Sequence, residues 1–208
     1  MKHLFISAMA LSSLFIAACG NNETASADHT QHDQAAKKDS IAAEPAPANL
    51  ATLSHSFTQV DAQLSTALET IWQHYYHIQF ALSKDDANEA GNGGLALAEA
   101  MAKVNKATMP ADQKALYEKN EEDLRMHAQH MAENTGNIKH QREHFQKMSA
   151  DVYDLLKGFG AGNPVYKTYC PMAFNNKGAF WISTATEVKN PYFGKDMLTC
   201  GEVQELIK

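Results

Sequence analysis

The sequence predicts a mainly α protein: an up-down antiparallel four-helix bundle carrying a small irregular or β C-terminal lobe. Three observations predict it. Four segments between residues 50 and 160 repeat apolar residues at steps of three and four, which marks amphipathic helices. Short connections join them, which favours antiparallel neighbours. After residue 160 the pattern gives way to Gly, Pro, aromatic, Cys and Met residues in turn-rich order. The domain thus divides into a helical part, residues 50–160, and a lobe, residues 161–208, packed on it.

The first helix places Val60, Leu64, Leu68, Ile71, Tyr75, Ile78 and Leu82 on one face. Ser83-Lys84-Asp85-Asp86 then reads as a capping box for the second helix, with Asp in place of the usual Glu. That helix continues through Leu97, Met101 and Val104. Its start carries Gly91, Gly93 and Gly94, each costing about 1 kcal/mol against Ala in a helix, so a kink, a break or a soft first half is expected there. No Gly-Lys-Ser/Thr follows, which excludes a phosphate loop. The third helix begins near Pro110, a good first-turn residue. It runs through Leu116, Leu124 and Met131 to a C-cap at Asn134-Thr135-Gly136-Asn137. The fourth runs from Ile138 through Phe145, Met148, Val152, Leu155 and Phe159, and Gly158, Gly160 and Gly162 end it. In the lobe, Gly178 to Ser183 reads as a short strand, as does the stretch near Glu187-Val188, and Glu202 to Ile207 as a closing helix.

The N-terminus points to the compartment. Lys2 and His3 precede an apolar run, Leu4 to Ala18, too short to cross a bilayer as a helix. Ile16-Ala17-Ala18-Cys19 resembles the cleavage box of bacterial lipoprotein signals. Residues 1–18 then form a signal peptide, and the mature chain starts at a lipidated Cys19. Residues 19–49 read as a disordered tether, poor in large apolar residues and stiffened by Pro45 and Pro47. His29 and His32 lie in it as solvated side chains. The protein is therefore expected on the membrane of a Gram-negative-type cell envelope, held by its lipid with the domain in the periplasm. About 160 residues remain for one core. The net charge is −6 and no basic stripe is visible, which argues against nucleic acid as a partner.

Two sets of residues carry candidate chemistry. Histidines fall at ligand spacing: His127 and His130 on the third helix, His140 and His144 on the fourth, each pair one turn apart. The two helices meet at the Gly136 turn, so His130 and His140 are expected to face each other. His130, His140 and His144 are candidate metal ligands. His127 shares a face with Leu124 and Met131 and reads equally well as a half-buried histidine. His74 and His77 read as a polar flank, and Met101 and Met148 as packing. The second set lies in the lobe: Cys170, Met172, Met197 and Cys200. Thiolate and thioether suit soft ions such as Cu(I). In an oxidising compartment the same two thiols can instead close a disulfide. Enzyme signatures are missing: there is no Gly-x-Ser-x-Gly, Cys-x-x-Cys or His-Glu-x-x-His, and no catalytic residues are assigned.

The string Tyr169-Cys170-Pro171-Met172-Ala173, then Gly178 to Ser183, Asn190-Pro191-Tyr192-Phe193-Gly194, Met197 and Cys200-Gly201 resembles a bacterial domain family of unassigned function. His140 to Phe145 with Ser149 resembles that family's fourth helix. The resemblance spans about Val60 to Ile207. The family occurs as small lipoproteins and fused to periplasmic adaptor subunits of efflux pumps that export copper and silver. It implies a helical bundle with a C-terminal lobe and a role in copper handling. The expected function is accordingly copper binding, Cu(I) favoured, with buffering or transfer to an exporter. The alternative is a module stapled by Cys170–Cys200, presenting Trp181, Tyr192 and Phe193 to a pump adaptor or another envelope protein. A structural zinc site of two Cys and two His ranks third, since it leaves the methionines without a part.

Overall fold

The computed structural model describes residues 50–208; the signal peptide, Cys19 and the tether lie outside the described residues. Four long helices dominate: α1 (Ala62–Ser83), α2 (Ala87–Ala102), α3 (Ala111–Glu133) and α4 (Ile138–Phe159). Each packs against the next, and α4 returns to touch α1. This is the mainly α bundle that the periodicity predicts. From Leu64 to Leu82 the apolar stripe of α1 is buried throughout. No helix among the described residues is long and apolar enough to cross a membrane.

The turn between α1 and α2 departs from the expected capping box. Ser83 is the last residue of α1, its hydroxyl donating to the Phe80 carbonyl (2.7 Å). Asp86 is the N-cap of α2 and accepts from the Glu89 amide (3.0 Å). Pro110 stands just before α3, at the cap position.

α2 also runs without the expected break. Its glycines are interior, and two of them set how closely the helices approach. A Cβ at Gly93 would come within 2.7 Å of Ile78 Cγ1 on α1, and one at Gly94 within 2.6 Å of the Ala128 carbonyl oxygen on α3. The low helix propensity of glycine is offset by packing that a larger residue would prevent. Gly94→Ala is therefore expected to destabilise, although the same change in an exposed helix stabilises. A carbonyl in α3 cannot rotate away as a side-chain tip can. The net loss should be about 2 kcal/mol, read as a Tm lower by about 5 °C. A thermal melt at or above the wild-type Tm would refute this account of the glycines.

The lobe is a four-stranded sheet in the order β1-β4-β2-β3, where β1 is Ala51–Leu53, β2 Val165–Cys170, β3 Ala179–Ser183 and β4 Glu202–Ile207. The strand expected at Gly178 to Ser183 is present as β3. The stretch near Glu187-Val188 is not a strand, because the chain turns away after Ser183, whose hydroxyl and Ala185 backbone bond each other. The helix expected from Glu202 to Ile207 is also a strand. Its backbone is claimed on one side by β1, in parallel, and on the other by β2, antiparallel. Six residues make a poor isolated helix, whereas as a strand the segment pairs with β2 along most of its length and with β1 over Glu205 to Ile207. β1 joins the sheet from the start of the described chain, so the lobe draws on residues from both sides of the helical part.

Sheet and bundle share one core. The Tyr75 hydroxyl lies 2.8 Å from the Ser149 hydroxyl and accepts from the Ile182 amide at 3.1 Å, joining α1, α4 and β3. Trp181, wholly buried, meets Tyr192 edge-on, and Tyr192 also meets Phe145 of α4. Trp181 and Tyr192 thus belong to the interior. Of the three aromatic residues expected at a partner-facing surface, only Phe193 reaches it.

Candidate functional site

The α3–α4 connection builds the most concentrated chemistry among the described residues. Asn134 caps α3, donating from its side chain to the His130 carbonyl (2.8 Å). Gly136 takes a left-handed φ of 93°, and Asn137 caps α4 by accepting from the His140 amide (3.3 Å). The tight turn lays α3 and α4 side by side in register, so that 127 stands opposite 144. Four imidazoles converge there. Nδ1 of His127 lies 2.9 Å from Nδ1 of His144, and Nε2 of His144 lies 3.0 Å from Nε2 of His140. The His130 ring meets His144 edge-on, centroids 5.0 Å apart. His144 is the hub, since it alone touches the other three. His127, which the sequence left undecided, is a full member of the cluster.

The electrostatics hold His144 and His127 neutral. His144 is pushed down to about 4, first by burial and then by His127, His140 and His130, with only Glu143 opposing. His127 is also lowered, by burial first. Neutral imidazole is the form that binds transition metals. Two nitrogens on one ion at about 2.0–2.1 Å lie roughly 3 Å apart, close to the separations found. Each nitrogen of His144, however, faces a different partner. Among the described residues no three His, Cys, Asp or Glu side chains are arranged around a common ion position. An ion drawing on three of these rings requires the His144 ring to turn.

Further along the same helix seam, Asp151 is unusual. One of its carboxylate oxygens is buried without a hydrogen-bond partner. Its pKa is pushed up to about 7, first by burial and then by Asp123 and Asp154, against Lys119 and Lys147. Between the ordinary value near 3.8 and about 7, the folded chain keeps a proton that the unfolded chain releases. Stability therefore falls as pH rises through that window. Asp151→Asn should gain over wild type between about pH 4 and 7 and hold a constant lead above. The side chain is only half-buried, so the lead is about 1–2 kcal/mol. Urea midpoints at pH 4 and pH 8 measure it, and an equal difference at both would refute the assignment.

The sulfurs form a separate group. Cys170 ends β2 and Cys200 stands just before β4; these strands are antiparallel neighbours, with Tyr169 paired to Glu202. The two thiols, unbonded, face each other with Sγ atoms 2.7 Å apart. Cys170 is buried and Cys200 half-buried. The Cys200 thiol is pushed up to about 11, by burial first and then by Cys170, so it is not a thiolate at neutral pH. Asn190, wholly buried, organises the loop before it. It donates to the Cys200 carbonyl (2.6 Å) and accepts from the amides of Tyr192 (2.8 Å) and Phe193 (3.2 Å). Met172 is exposed, and Met197, in the 3-10 turn Gly194–Met197, is half-buried. Among the described residues no hydrogen bond or ring contact joins the imidazoles to the sulfurs.

Residues 71–163 match the family model DUF3347, described as a protein of unknown function. The matched span covers most of α1, all of α2 to α4 and therefore all four histidines. It ends before β2 and before both lobe cysteines, so the string from Tyr169 to Gly201 lies outside it. No curated protein and no solved structure matches the chain.

Proposed function

We propose that the protein binds copper at the imidazole cluster of α3 and α4 and acts as a lipid-anchored copper buffer or donor in the periplasm. The observation that carries this reading is the convergence of His127, His130, His140 and His144, with His144 held neutral by burial. Imidazole suits copper and zinc alike, and the resemblance to domains fused to copper and silver pump adaptors favours copper. The protein holds the ion as cargo and turns over no substrate. The anchor is Cys19, and the adaptor of a copper or silver efflux pump is the partner that would receive the ion.

Titration of the purified protein with Cu(I) against a chromophoric chelator, and with Cu(II) and Zn(II), tests it. One tightly held copper per chain, with the histidine ring resonances perturbed, is expected. A chelator that strips all copper at equal concentration would sink the reading. The sulfurs enter through a paired variant. If Cys170, Met172, Met197 and Cys200 hold the ion instead, Met172→Ala with Met197→Ala weakens Cu(I) binding; if the imidazoles hold it, affinity is unchanged.

The second reading, a metal-free module stapled by Cys170 and Cys200, is favoured by the approach of the two sulfurs. A zinc site of two cysteines and two histidines has least support, since thiols contact thiols and imidazoles contact imidazoles.

A further inference from the structure

A groove of about 660 Å³ runs between α4 and the lobe, beside His140 and His144 in sequence but with none of the four clustered histidines and neither lobe cysteine in its lining. Its floor is apolar: Phe174, Phe193 and the exposed thioether of Met172. Its rim is cationic. Lys139 and Lys147 line it from α4 and Lys177 from the lobe, and none of the three has an ion-pair partner among the described residues. Arg142 is present too, but it is pinned by Asp85 (2.7 Å) and by the Pro191 carbonyl (2.8 Å). The one carboxylate of the lining is Glu143, which lies 3.4 Å from His140. A protein of net charge −6 thus gathers unpaired positive charge around one apolar trough.

The lobe side of this trough is held in costly backbone. Phe174, Asn175 and Asn176 have φ of 51°, 59° and 62°, three successive left-handed residues without a glycine. Side chains disfavour that region. Its result is to set Phe174 edge-on to Tyr192, centroids 5.3 Å apart, and to turn Lys177 to the rim.

We propose that this groove binds an acidic peptide segment of a partner protein, with an apolar residue between its carboxylates. The spacing of the cations decides for a peptide. Lys139 and Lys147 are eight residues apart on one helix, about 12 Å at 1.5 Å per residue. A single anionic head group meets one of them; an extended chain at about 3.3 Å per residue meets both within four residues. The apolar floor lies between and takes the intervening side chain. Complementary charge sets orientation and on-rate, and the apolar anchor supplies residence. The inference goes beyond the copper reading and does not depend on it.

Fluorescence anisotropy of a labelled Glu-Asp-Leu-Phe-Glu-Asp peptide with the purified protein, without copper and at low salt, tests it. Saturable binding is expected. Lys147→Glu with Lys177→Glu, both exposed positions, should weaken it at least tenfold while circular dichroism stays unchanged. A peptide with Ser-Ser in place of Leu-Phe should also bind at least tenfold more weakly. Absence of saturable binding overturns the proposal. So does binding that the double variant leaves within twofold, or equal binding of the Ser-Ser peptide, which would report a general attraction for negative charge.

Discussion

Replacing His144 by alanine is expected to lower copper affinity on the order of 100-fold. Loss of groups that merely orient a ligand costs 10–100-fold, and His144 is the ring on which the other three converge. His130→Ala should cost less, because that ring meets the cluster only edge-on. An equal loss at both positions would mean that the hub geometry does not matter. The same variant carries a pH signature that a general loss of folding would not. His144 in the fold is pushed down to about 4 from an ordinary value of 6.5. Between those pH values the unfolded chain takes up a proton that the folded chain refuses, so stability falls as pH drops through the window. Alanine removes that slope. Urea midpoints for wild type and variant should therefore converge, or cross in favour of the variant, on going from pH 7.5 to 4.5. Copper should also stay on the wild-type protein down to about pH 5.5, where an unperturbed histidine is mostly protonated. Release of the ion near pH 6.5 would mean that His144 is not held neutral by the fold.

The parts of this molecule that the sequence makes legible are those decided locally. The stripe from Leu64 to Leu82 fixes α1 because each residue lies three or four places from the next and each is buried. The caps at Asn134 and Asn137 fix the α3–α4 turn in the same way; His130 and His140, expected to face each other, each meet His144 instead. The rest depends on neighbours distant in the chain. Propensity argued against a continuous α2, and the decisive contacts at Gly94 come from Ala128 and Met131 on α3. Glu202 to Ile207 has no clear period, with burial alternating only over its first four residues; its strand form is set by β2 on one side and by β1, some 150 residues earlier, on the other. His127 shares the apolar side of its helix, and only the packing of α4 decides that this side includes His144. Trp181 and Tyr192, expected at a partner-facing surface in the stapled alternative, are buried because the bundle packs over the lobe.

The same distant pairing underlies the largest expected effect on stability. Oxidation of Cys170 and Cys200 to a disulfide is expected to stabilise the protein by about 3–4 kcal/mol, the loop-closure value for a span of about 30 residues. The loop includes β3, buried Trp181 and the Asn190 turn, all of which the unfolded chain would otherwise release freely. The β2–β4 register already brings the sulfurs together, so little native geometry must change. The urea midpoint should move down by about 2 M when dithiothreitol is added, and Cys170→Ser should match the reduced wild type. Coincident midpoints with and without reductant would refute the staple, as would two free thiols in protein taken directly from an oxidising compartment. The outcome also bears on the metal. A closed bridge removes both thiolates and leaves copper to the imidazoles and thioethers, which survive oxidation. Thiols that persist, with Cys200 raised to about 11, bind Cu(I) only by giving up their protons to it. Copper uptake by the reduced protein would then release protons in step with the metal, and uptake by the oxidised protein would not.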